Sequence, residues 1–552
     1  MADSTTMVNG MHHVKSKFIF VVGGVMSGIG KGVTVASTAR IIKDYGFKVT
    51  AVKIDPYLNV DAGTMNPTEH GEVFVTDDAD ETDQDIGNYE RFLNEDMPRE
   101  NYMTAGRVYQ SVLDRERALG YGGKCVQVIP HVTDEIKNRI LQAAEKAKAD
   151  FVLVEIGGTV GEYENQLFLE TGRIMKLEMP GQVLFMLVSY FPVPPMIGEM
   201  KTKPTQHAVR LLNYAGIQAD FIIARSSVSL DEVRKKKVSI FCNMDPRDVI
   251  SAPDVNSIYE VPVNFEKDNL GRRILEKFAM QPRMQDGNQW RELVERIRAA
   301  DEPVKIGIVG KYFETGDFVL ADSYISVIEA VKHAAWSLGR RPEITWLNAE
   351  KYYSSEALEE LRKFNGIIVP GGFGTRGIEG KINAIRFVRE NNIPFLGLCY
   401  GLQLATIEFA RNVIGLKDAH TTEVKSATRH PVIHTMTDQI EKIQQGNMGN
   451  SMRLGAYDCE LNPGSLSFAL YGGQNIISER HRHRYEVNND YVNQLEARGM
   501  LIAGRNPEKN LVEIIELPSH KFFVGTQFHP ELKSRPLEPH PLFRGFIEAC
   551  LK

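Results

Sequence analysis

Short apolar segments alternate with helical patterns along almost the whole chain, and this alternation constrains the fold more than any other feature. The first series of segments is Lys17–Val22, Val49–Ile54, Val126–Ile129, Phe151–Ile156, Val183–Val188 and Phe221–Ala224. The second series is Val304–Val309, Gly366–Val369, Phe395–Leu398, Val512–Glu516 and Phe522–Thr526. Segments that are apolar on both faces and separated by helices are typical of buried parallel strands. The pattern therefore predicts an α/β protein with two sheets.

A strand-poor stretch separates the two series and predicts the domain boundary. The 552 residues exceed what one core accommodates, because a domain takes roughly 100–200 residues. We predict a disordered tail at 1–16, a first domain at 17–280, a linker at 281–302 and a second domain at 303–552. Within the linker, a short amphipathic helix is expected around Trp290–Ala299.

Composition excludes several classes of protein. The 65 Lys and Arg minus the 71 Asp and Glu give a net charge of −6, without the basic surplus of a general binder of nucleic acid polymers. The five cysteines are scattered without a CxxC pair, which argues against a disulfide framework or zinc ribbon and favours a reducing compartment. No apolar stretch reaches the ~18–20 residues of a membrane-spanning helix. We therefore expect a cytoplasmic protein with no membrane association.

Residues 23–32, GGVMSGIGKG, lie between a predicted strand and a predicted helix. Glycines at such a turn let successive N–H groups point at phosphate oxygens, and Lys31 can reach the terminal phosphates. The segment departs from the usual GxxxxGK[ST] pattern, because Val25 replaces the first glycine and Gly32 replaces the Mg²⁺-binding hydroxyl. A phosphate-binding loop is favoured over a tight turn with a solvated lysine.

Without that hydroxyl, Mg²⁺ would need carboxylate ligands. Asp85 ends the acidic stretch DDADETDQD, most of which is expected to be a solvated loop, and Glu155 ends the apolar strand FVLVEI. Open α/β sheets place ligands at the carboxyl ends of their strands, so Glu155 is the stronger candidate. The cationic segment Lys201–Gln206, with Lys237, suits a second triphosphate, although isolated lysines of this kind are usually surface residues.

A hydrolytic site is predicted in the second half. Residues 395–401, FLGLCYG, have the form of a nucleophile elbow between strand and helix, with Cys399 as the nucleophile. The glycine-rich residues 371–377 offer N–H groups to an oxyanion. His529 and Glu531 in QFHPE supply a base and its orienting carboxylate. A cysteine before a helix is often inert core packing, but this combination favours catalysis.

These motifs carry a resemblance to known families. The second half, with PGGFG, GLCYG and FHPE, resembles class I (triad) glutamine amidotransferases, which implies a flavodoxin-like sheet. The first half resembles the amidoligase domain of the CTP synthase family, which implies a P-loop-type, dethiobiotin-synthetase-like parallel sheet. The stretches that carry this second resemblance are GGVMSGIGKG, KIDPYLNVDAGTMNP, ETDQDIGNYERF, LVEIGGTVGE, EMKTKPTQH and ERHRHRYEVNN.

The resemblance implies ATP-dependent amination of UTP to CTP through a 4-phosphorylated intermediate. Ammonia would come from L-glutamine and pass between the domains. It also implies Mg²⁺ as the metal, GTP as an activator, CTP as an inhibitory product and a homotetramer.

The resemblance also assigns residues to sites. The ATP site would comprise Gly28, Ile29, Gly30, Lys31, Gly32, Val33, Asp85, Pro253, Asp254 and Val255, with Lys31 at the transferring phosphate. The UTP or CTP site would comprise Ser27, Glu162, Tyr163, Glu164, Lys201, Thr202, Lys203, Pro204, Thr205, Gln206 and Lys237. Glutamine would be bound by Gly372, Tyr400, Gly401, Leu402, Gln403, Glu423 and Arg484 around the triad of Cys399, His529 and Glu531. Asp85 and Glu155 would be the metal ligands, and Arg376 is a candidate contact for GTP.

Two alternatives stay open at this point. One is another ATP-dependent amidoligase, such as a cobyrinic-acid amidase, which would act on carboxylates with a similar loop and triad. The other is a non-catalytic nucleotide switch or filament-forming scaffold, against which the complete set of Cys399, His529 and Glu531 argues.

Overall fold

The structure is a computed structural model that describes residues 15–65, 71–196, 198–284, 287–310, 314–315, 318–319, 321–372, 374–435 and 452–552. Most of the predicted N-terminal tail, residues 1–14, lies outside these ranges. Contacts divide the chain into two units. Unit 1 comprises Met1–Asp61 and Asn88–Arg291, and unit 2 comprises Ala62–Gly87 and Glu292–Lys552. The sequence pattern gave no sign that residues 62–87 would group with the second half of the chain.

The strands, numbered along the chain, are β1 (Lys17–Gly24), β2 (Val49–Asp55), β3 (Phe74–Val75), β4 (Glu81–Thr82), β5 (Tyr102–Thr104), β6 (Phe151–Ile156), β7 (Val183–Tyr190), β8 (Phe221–Ser226), β9 (Val249–Pro253), β10 (Pro303–Gly310), β11 (Glu314–Thr315), β12 (Phe318–Val319), β13 (Arg341–Asn348), β14 (Gly366–Val369), β15 (Phe395–Leu398), β16 (Ala419–Thr421), β17 (His430–Thr435), β18 (Arg453–Leu461), β19 (Ile476–His483), β20 (Tyr485–Val487), β21 (Leu501–Arg505), β22 (Val512–Glu516) and β23 (Phe523–Thr526).

The α-helices are α1 (Lys31–Asp44), α2 (Gln84–Leu93), α3 (Ala105–Arg117), α4 (Thr133–Lys146), α5 (Gln166–Glu178), α6 (Lys203–Tyr214), α7 (Glu232–Cys242), α8 (Val261–Glu266), α9 (Leu270–Lys277), α10 (Asn288–Ala299), α11 (Ile325–Ser337), α12 (Ser355–Glu359), α13 (Ile378–Glu390), α14 (Tyr400–Phe409), α15 (Leu466–Leu470), α16 (Val492–Glu496) and α17 (Pro541–Leu551). Helix α10 confirms the helix predicted around Trp290–Ala299. None of the helices in the described ranges combines the length and the apolar character that crossing a membrane requires.

Unit 1 is built on a parallel sheet whose strands lie in the order β5, β2, β6, β1, β7, β8 and β9. Its strands are buried on both faces, as parallel sheets require, and Phe20 stacks on Phe185 with ring centroids 5.2 Å apart. The register pairs Val21 with Glu155 and Gly24 with Ser189. The glycine-rich loop after β1 therefore begins at the same edge of the sheet at which β6 and β7 end.

The predicted strand at Val126–Ile129 is wrong. The chain there is extended up to Gln127 and then forms an irregular helical turn, Val128–Val132. Val128 and Ile129 are each about half exposed, at 47% and 48%, so the apolar run does not enter the core. Two short strands that the prediction missed, β5 and β9, form the two edges of the sheet instead.

Unit 2 contains a mixed sheet in the order β13, β10, β14, β15, β23, β22, β21, β18 and β19. The strands from β13 to β23 are parallel and those from β22 to β19 are antiparallel. All five predicted strands of the second series are present. The predicted α/β class is confirmed, and the antiparallel extension is an addition to it. Strands β18 and β19 escaped prediction because polar and charged residues alternate along them, as in IISERHRH.

Candidate active site

Cys399 lies in a sharp turn between β15 and α14. Its backbone has φ 50° and ψ −97°, a strained conformation for a residue with a side chain, and its N–H donates to the carbonyl of Thr526 at 2.6 Å. The turn needs glycine at position 401, because a Cβ there would lie 2.2 Å from the carbonyl oxygen of Val369. The predicted nucleophile elbow is thus present, and main-chain packing holds the thiol at the start of a helix.

His529 and Glu531 approach this thiol from the turn Pro530–Lys533. Nδ1 of His529 lies 2.7 Å from Oε1 of Glu531, and Nε2 has no hydrogen-bond partner among the described residues. A Cβ on Gly371 would lie 3.0 Å from Cε1 of His529 and 3.8 Å from Cβ of Cys399, so one glycine borders both side chains. Burial alone would lower the pKa of His529, but Glu531 and Cys399 raise it well above its usual value. This arrangement favours a protonated imidazole beside Cys399.

The triad opens into a cavity of about 320 Å³. Five residues predicted to bind glutamine lie on its wall: Gly372, Tyr400, Gln403, Glu423 and Arg484. The other two, Gly401 and Leu402, are buried in α14, and Leu402 packs in the core. Gly371 and Gly372 border the same space, and Phe373 lies outside the described residues. Gly374 donates its N–H to Glu423 at 3.1 Å and its carbonyl accepts from the Tyr400 hydroxyl at 3.3 Å, so the loop is held open.

Arg376 lies apart from this cavity wall. Its side chain is 68% exposed and forms a bidentate pair with Glu350 at 2.7 and 3.0 Å. Any anion that bound Arg376 would compete with that carboxylate. A role in GTP binding stays a prediction.

The structure adds site residues that sequence reasoning missed. The amide nitrogen of Gln527 lies 3.6 Å from Sγ of Cys399, and Gln527 accepts a hydrogen bond from Gln403 at 3.3 Å. His483 lies on the cavity wall, and neither of its ring nitrogens has a hydrogen-bond partner among the described residues. Gln527 stands two residues before His529 in TQFHPE, which is a usable sequence signal. The sequence around His483 contains no comparable signal, because this residue reaches the cavity only through the folding of β19.

In unit 1, the glycine-rich loop has the backbone that phosphate binding needs. Gly28 and Gly30 have φ of 71° and 85°, and α1 begins directly afterwards at Lys31. The ammonium of Lys31 donates to the carbonyl of Gly158 at 2.7 Å, and the residue is only 9% exposed. The alternative of a solvated lysine is therefore wrong. Ser27 is exposed at the tip of the loop.

Pro253, Asp254 and Val255, predicted for the ATP site, lie at the same edge of the sheet. Asp254, directly after β9, pairs with Arg225 at 3.0 Å, and Arg225 also donates to the carbonyls of Ala252 and Pro253. A Cβ on Gly30 would lie 3.9 Å from Nε of Arg225, which connects the phosphate loop to the 253–255 segment. Arg225 is a further residue that the sequence did not single out.

Besides Ser27 on the phosphate loop and Lys237 on α7, the residues predicted for UTP or CTP lie on two segments, 201–206 and 162–164. A Cβ on Gly24 would lie 2.7 Å from the Cβ of Ala208, so α6 packs directly on the end of β1. Lys201 pairs with Glu199 at 2.7 Å and Lys203 and Lys237 are exposed, whereas Thr202 and Thr205 are buried. On the second segment Glu162 accepts from Thr159 at 2.7 Å, and Tyr163 is 86% exposed.

Glu155 lies buried at the end of β6. Lys53 contacts Oε1 of Glu155 at 3.0 Å, and Tyr89 donates to Oε2. Asp55 lies 3.7 Å from the same lysine. Carboxylate oxygens are the ligands that Mg²⁺ prefers, and one or two of them with nucleotide phosphates are sufficient, so the donors fit this ion. Asp85 belongs to unit 2, in the first turn of α2, and the described residues contain no cluster of three or more metal-ligating side chains.

Comparison with known proteins agrees with both halves of this description. The family described as "CTP synthase N-terminus" matches residues 17–280, and "Glutamine amidotransferase class-I" matches residues 319–549. The CTP synthase of Symbiobacterium thermophilum is 49% identical over 543 residues, covering 97% of this chain and 99% of that protein. The CTP synthase of Sulfolobus acidocaldarius is 50% identical over 536 residues, with the same coverage. A solved glutaminase domain of Trypanosoma brucei CTPS with bound acivicin is 37% identical and covers 45% of this chain and 94% of that one, with a TM-score of 0.42.

The fold and the triad cavity, with these relatives, define a glutamine-dependent ligase with a class I amidotransferase domain. The chain belongs to the CTP synthase family. Its substrates are accordingly nucleotides and glutamine, and the carboxylate amidase and the non-catalytic scaffold are wrong as alternatives.

Proposed function

We propose that the protein converts UTP to CTP at the expense of ATP, with nitrogen released from glutamine at Cys399. The observation that carries the proposal is the presence, in one chain of this family, of a triad cavity and of a phosphate loop with a buried lysine. Each half supplies what the other lacks. The loop can activate a substrate for amination, and the triad can supply the ammonia.

Glutamine hydrolysis follows from the geometry around Cys399. The thiolate attacks the side-chain amide, and the oxyanion that forms is stabilised by N–H groups of the 371–372 backbone. His529, held by Glu531, gives its proton to the departing ammonia and then takes one from the water that hydrolyses the thioester. Gln527 and Gln403 hold each other against the thiol side of the cavity.

Amination of UTP needs a better leaving group than the uracil 4-oxygen. Transfer of the ATP γ-phosphoryl group to that oxygen makes phosphate the leaving group, and Lys31 stabilises the charge of the transferring group. Asp85 and Glu155 would hold Mg²⁺, which neutralises phosphate charge when it is bound. Lys201, Lys203 and Lys237 would bind the UTP phosphates.

Part of the cavity wall supports delivery of ammonia towards the synthetase half. Gly63, Glu72 and Val73 line the same cavity as the triad, although they belong to the sequence matched as the CTP synthase N-terminus. Ammonia formed at Cys399 would therefore be released next to residues of the N-terminal half of the sequence. Passage through protein keeps ammonia unprotonated, and most ammonia in neutral water is ammonium, which has no lone pair.

The remaining properties are also proposals. Activation by GTP and inhibition by CTP follow from the family resemblance alone. A homotetramer is supported by large apolar side chains exposed on unit 1, such as Leu119, Tyr214, Val233 and Ile240. A cytoplasmic location is supported by the cysteines, which are all free and, apart from Cys125, buried.

The test is to incubate the protein with UTP, ATP, Mg²⁺ and glutamine and to measure CTP and glutamate by chromatography. We expect one CTP for each glutamate released, and CTP formation when ammonium chloride replaces glutamine. Glutamate without CTP would contradict the synthetase half of the proposal. CTP formation with ammonium chloride but not with glutamine would contradict the amidotransferase half.

A further inference from the structure

Residues 71–82, which include β3 and β4, lie against the part of unit 2 that carries the triad. The carboxylate of Asp77 contacts the guanidinium of Arg480 on β19 and lies 3.3 Å from the ammonium of Lys533. The carbonyl of Asp77 accepts from the N–H of Ala456 on β18 at 2.9 Å. A Cβ on Gly455 would lie 2.8 Å from that carbonyl, so the backbones are in direct contact. Two salt bridges, to Arg480 and Lys533, and a backbone hydrogen bond to Ala456 thus hold Asp77 in place.

Both cations that Asp77 contacts support the turn Pro530–Lys533, which follows His529 and contains Glu531. The N–H of His529 donates to the carbonyl of Arg480 at 2.8 Å, and Nη1 of Arg480 donates to the carbonyl of Leu532 at 3.4 Å. Lys533 is the last residue of the turn Pro530–Lys533, which contains Glu531. The carboxylate of Asp77 therefore connects β19, whose Arg480 carbonyl accepts from the N–H of His529, with Lys533 at the end of the turn.

The buried charge of Arg480 explains why the side chain at position 77 is a carboxylate. The side chain of Arg480 is fully buried, and a buried guanidinium needs an anionic partner at close range. Burial by itself would raise the pKa of Asp77, but Arg480 and Lys533 lower it, so Asp77 is charged at neutral pH. The ring of Phe74 covers the guanidinium with its centroid 5.3 Å away. Arg480 is consequently held in one position by residues 74 and 77 together.

We propose that Asp77 is a positioning residue for glutamine hydrolysis: through Arg480 and Lys533 it holds the turn that aligns His529 and Glu531 with Cys399. The inference rests on the proposed glutaminase activity of Cys399. Asp77 lies outside the residues matched as the class I amidotransferase, 319–549, and inside those matched as the CTP synthase N-terminus, 17–280. The part of the sequence matched as the CTP synthase N-terminus therefore contributes a residue, Asp77, that supports the glutaminase site.

Other contacts keep the 71–82 stretch in place when Asp77 is altered. Glu81 pairs with Arg482 at 2.8 Å, and Glu72 accepts from the backbone N–H of Ser326 at 3.1 Å. Asp77→Asn keeps the size of the side chain and the backbone bond to Ala456, and removes only the charge. The substitution therefore tests the positioning of the turn and not the attachment of the stretch.

The experiment measures glutamate release and ammonia-dependent CTP synthesis for the full chain, the Asp77→Asn and Asp77→Glu variants, and Asp78→Asn as a control. Asp78 is the neighbouring, exposed carboxylate. We expect Asp77→Asn to lower kcat for glutamate release by roughly ten- to a hundredfold, because small displacements of catalytic groups have effects of this size. KM for glutamine and ammonia-dependent synthesis should change less than twofold. Asp77→Glu should recover part of the rate, and Asp78→Asn should match the wild type.

A second readout distinguishes positioning from a general structural defect. The pH profile for alkylation of Cys399 by iodoacetamide should move in Asp77→Asn, because the partner of the thiolate, His529, is displaced. Should Asp77→Asn fail to fold, Lys533→Ala removes the second contact and should lower the same kcat several-fold. Wild-type kcat in the folded variants, or an equal loss of ammonia-dependent synthesis, would overturn the proposal. Failure of the proposed function is a separate result, because the wild-type protein would then release no glutamate or make no CTP.

Discussion

A cluster of buried charged side chains on β18, β19, β20 and β22 should make the stability of unit 2 depend on pH. The guanidinium of Arg453 lies 3.2 Å from Glu486 and 2.8 Å from Glu513, and His481 lies 2.8 Å from the other oxygen of Glu513. All of these side chains are almost completely buried. Two carboxylates therefore share one permanent cation. This arrangement holds a proton on one of them.

Glu486 is the carboxyl group that keeps its proton. Burial raises the pKa of Glu486 to about 8; Arg453 opposes this rise and Glu513 adds to it. Burial would also raise the pKa of Glu513, but His481 and Arg453 lower it, so Glu513 carries the charge. At neutral pH the cluster thus contains one guanidinium, one carboxylate, one neutral acid and the imidazole of His481, whose pKa burial holds below its usual value.

The size of the effect follows from the two pKa values. Between the ordinary value of 4.5 and about 8, the folded protein binds a proton that the unfolded chain releases. The free energy of unfolding therefore falls as the pH rises through this window, by about 1.4 kcal/mol per pH unit. Between pH 5.5 and 8 the loss is about 3 kcal/mol, which corresponds to a fall in Tm on the order of 10 °C for a unit of this size. Below pH 4.5 the contribution is complete.

Glu486→Gln should remove this dependence, because an amide resembles the protonated acid and cannot ionise. We expect the Tm of the variant minus that of the wild type to increase by about 10 °C from pH 5.5 to 8, measured by thermal unfolding at several pH values. Glu496→Gln, an exposed carboxylate of α16, is the matched control and should give a constant difference. The reasoning is refuted if the difference for Glu486→Gln is equally constant over this range.

Three further substitutions test the two sites. Cys399→Ala should abolish glutamine-dependent CTP formation and leave the ammonia-dependent rate intact; equal loss of both would contradict separate sites. Glu155→Ala should reduce synthesis with either nitrogen source by at least a hundredfold while glutamate release continues, since it removes a buried carboxylate beside Lys53, and retained ammonia-dependent synthesis would exclude it from the metal site. Lys201→Ala should raise the UTP concentration for half-maximal rate about tenfold, as loss of one phosphate contact would, and an unchanged UTP curve would make it a surface lysine.

The sequence predicted those features that depend on residues close together in the chain. GLCYG specifies the turn at Cys399 because glycine is required where the helix touches Val369, and the glycines before Lys31 specify the phosphate loop in the same way. The buried strands were also predictable, because an uninterrupted apolar run has few places other than the interior of a sheet. These features account for the fold class and the triad.

Features formed by distant residues could not be predicted. The charged run in β19 has the composition of a surface strand, yet Arg480, His481 and His483 are buried because Asp77 and Glu513 neutralise their surroundings. The opposite error occurred at Val126–Ile129, where an apolar run is half exposed. For β19 the partners lie far away in the chain, and hydropathy carries no information about them.

The resting position of Lys31 has a consequence for how nucleotide affinity is interpreted. Its ammonium is already bonded to the Gly158 carbonyl, so an arriving phosphate replaces an existing partner and does not capture an unbound charge. The contribution of Lys31 to affinity is then the difference between two hydrogen bonds, which is smaller than the bond to the phosphate by itself. Residues 157–161 stay in place during this exchange, because the Val160 N–H still donates to the Gly23 carbonyl at 2.8 Å and the Asn165 amide to the Thr159 carbonyl at 2.8 Å.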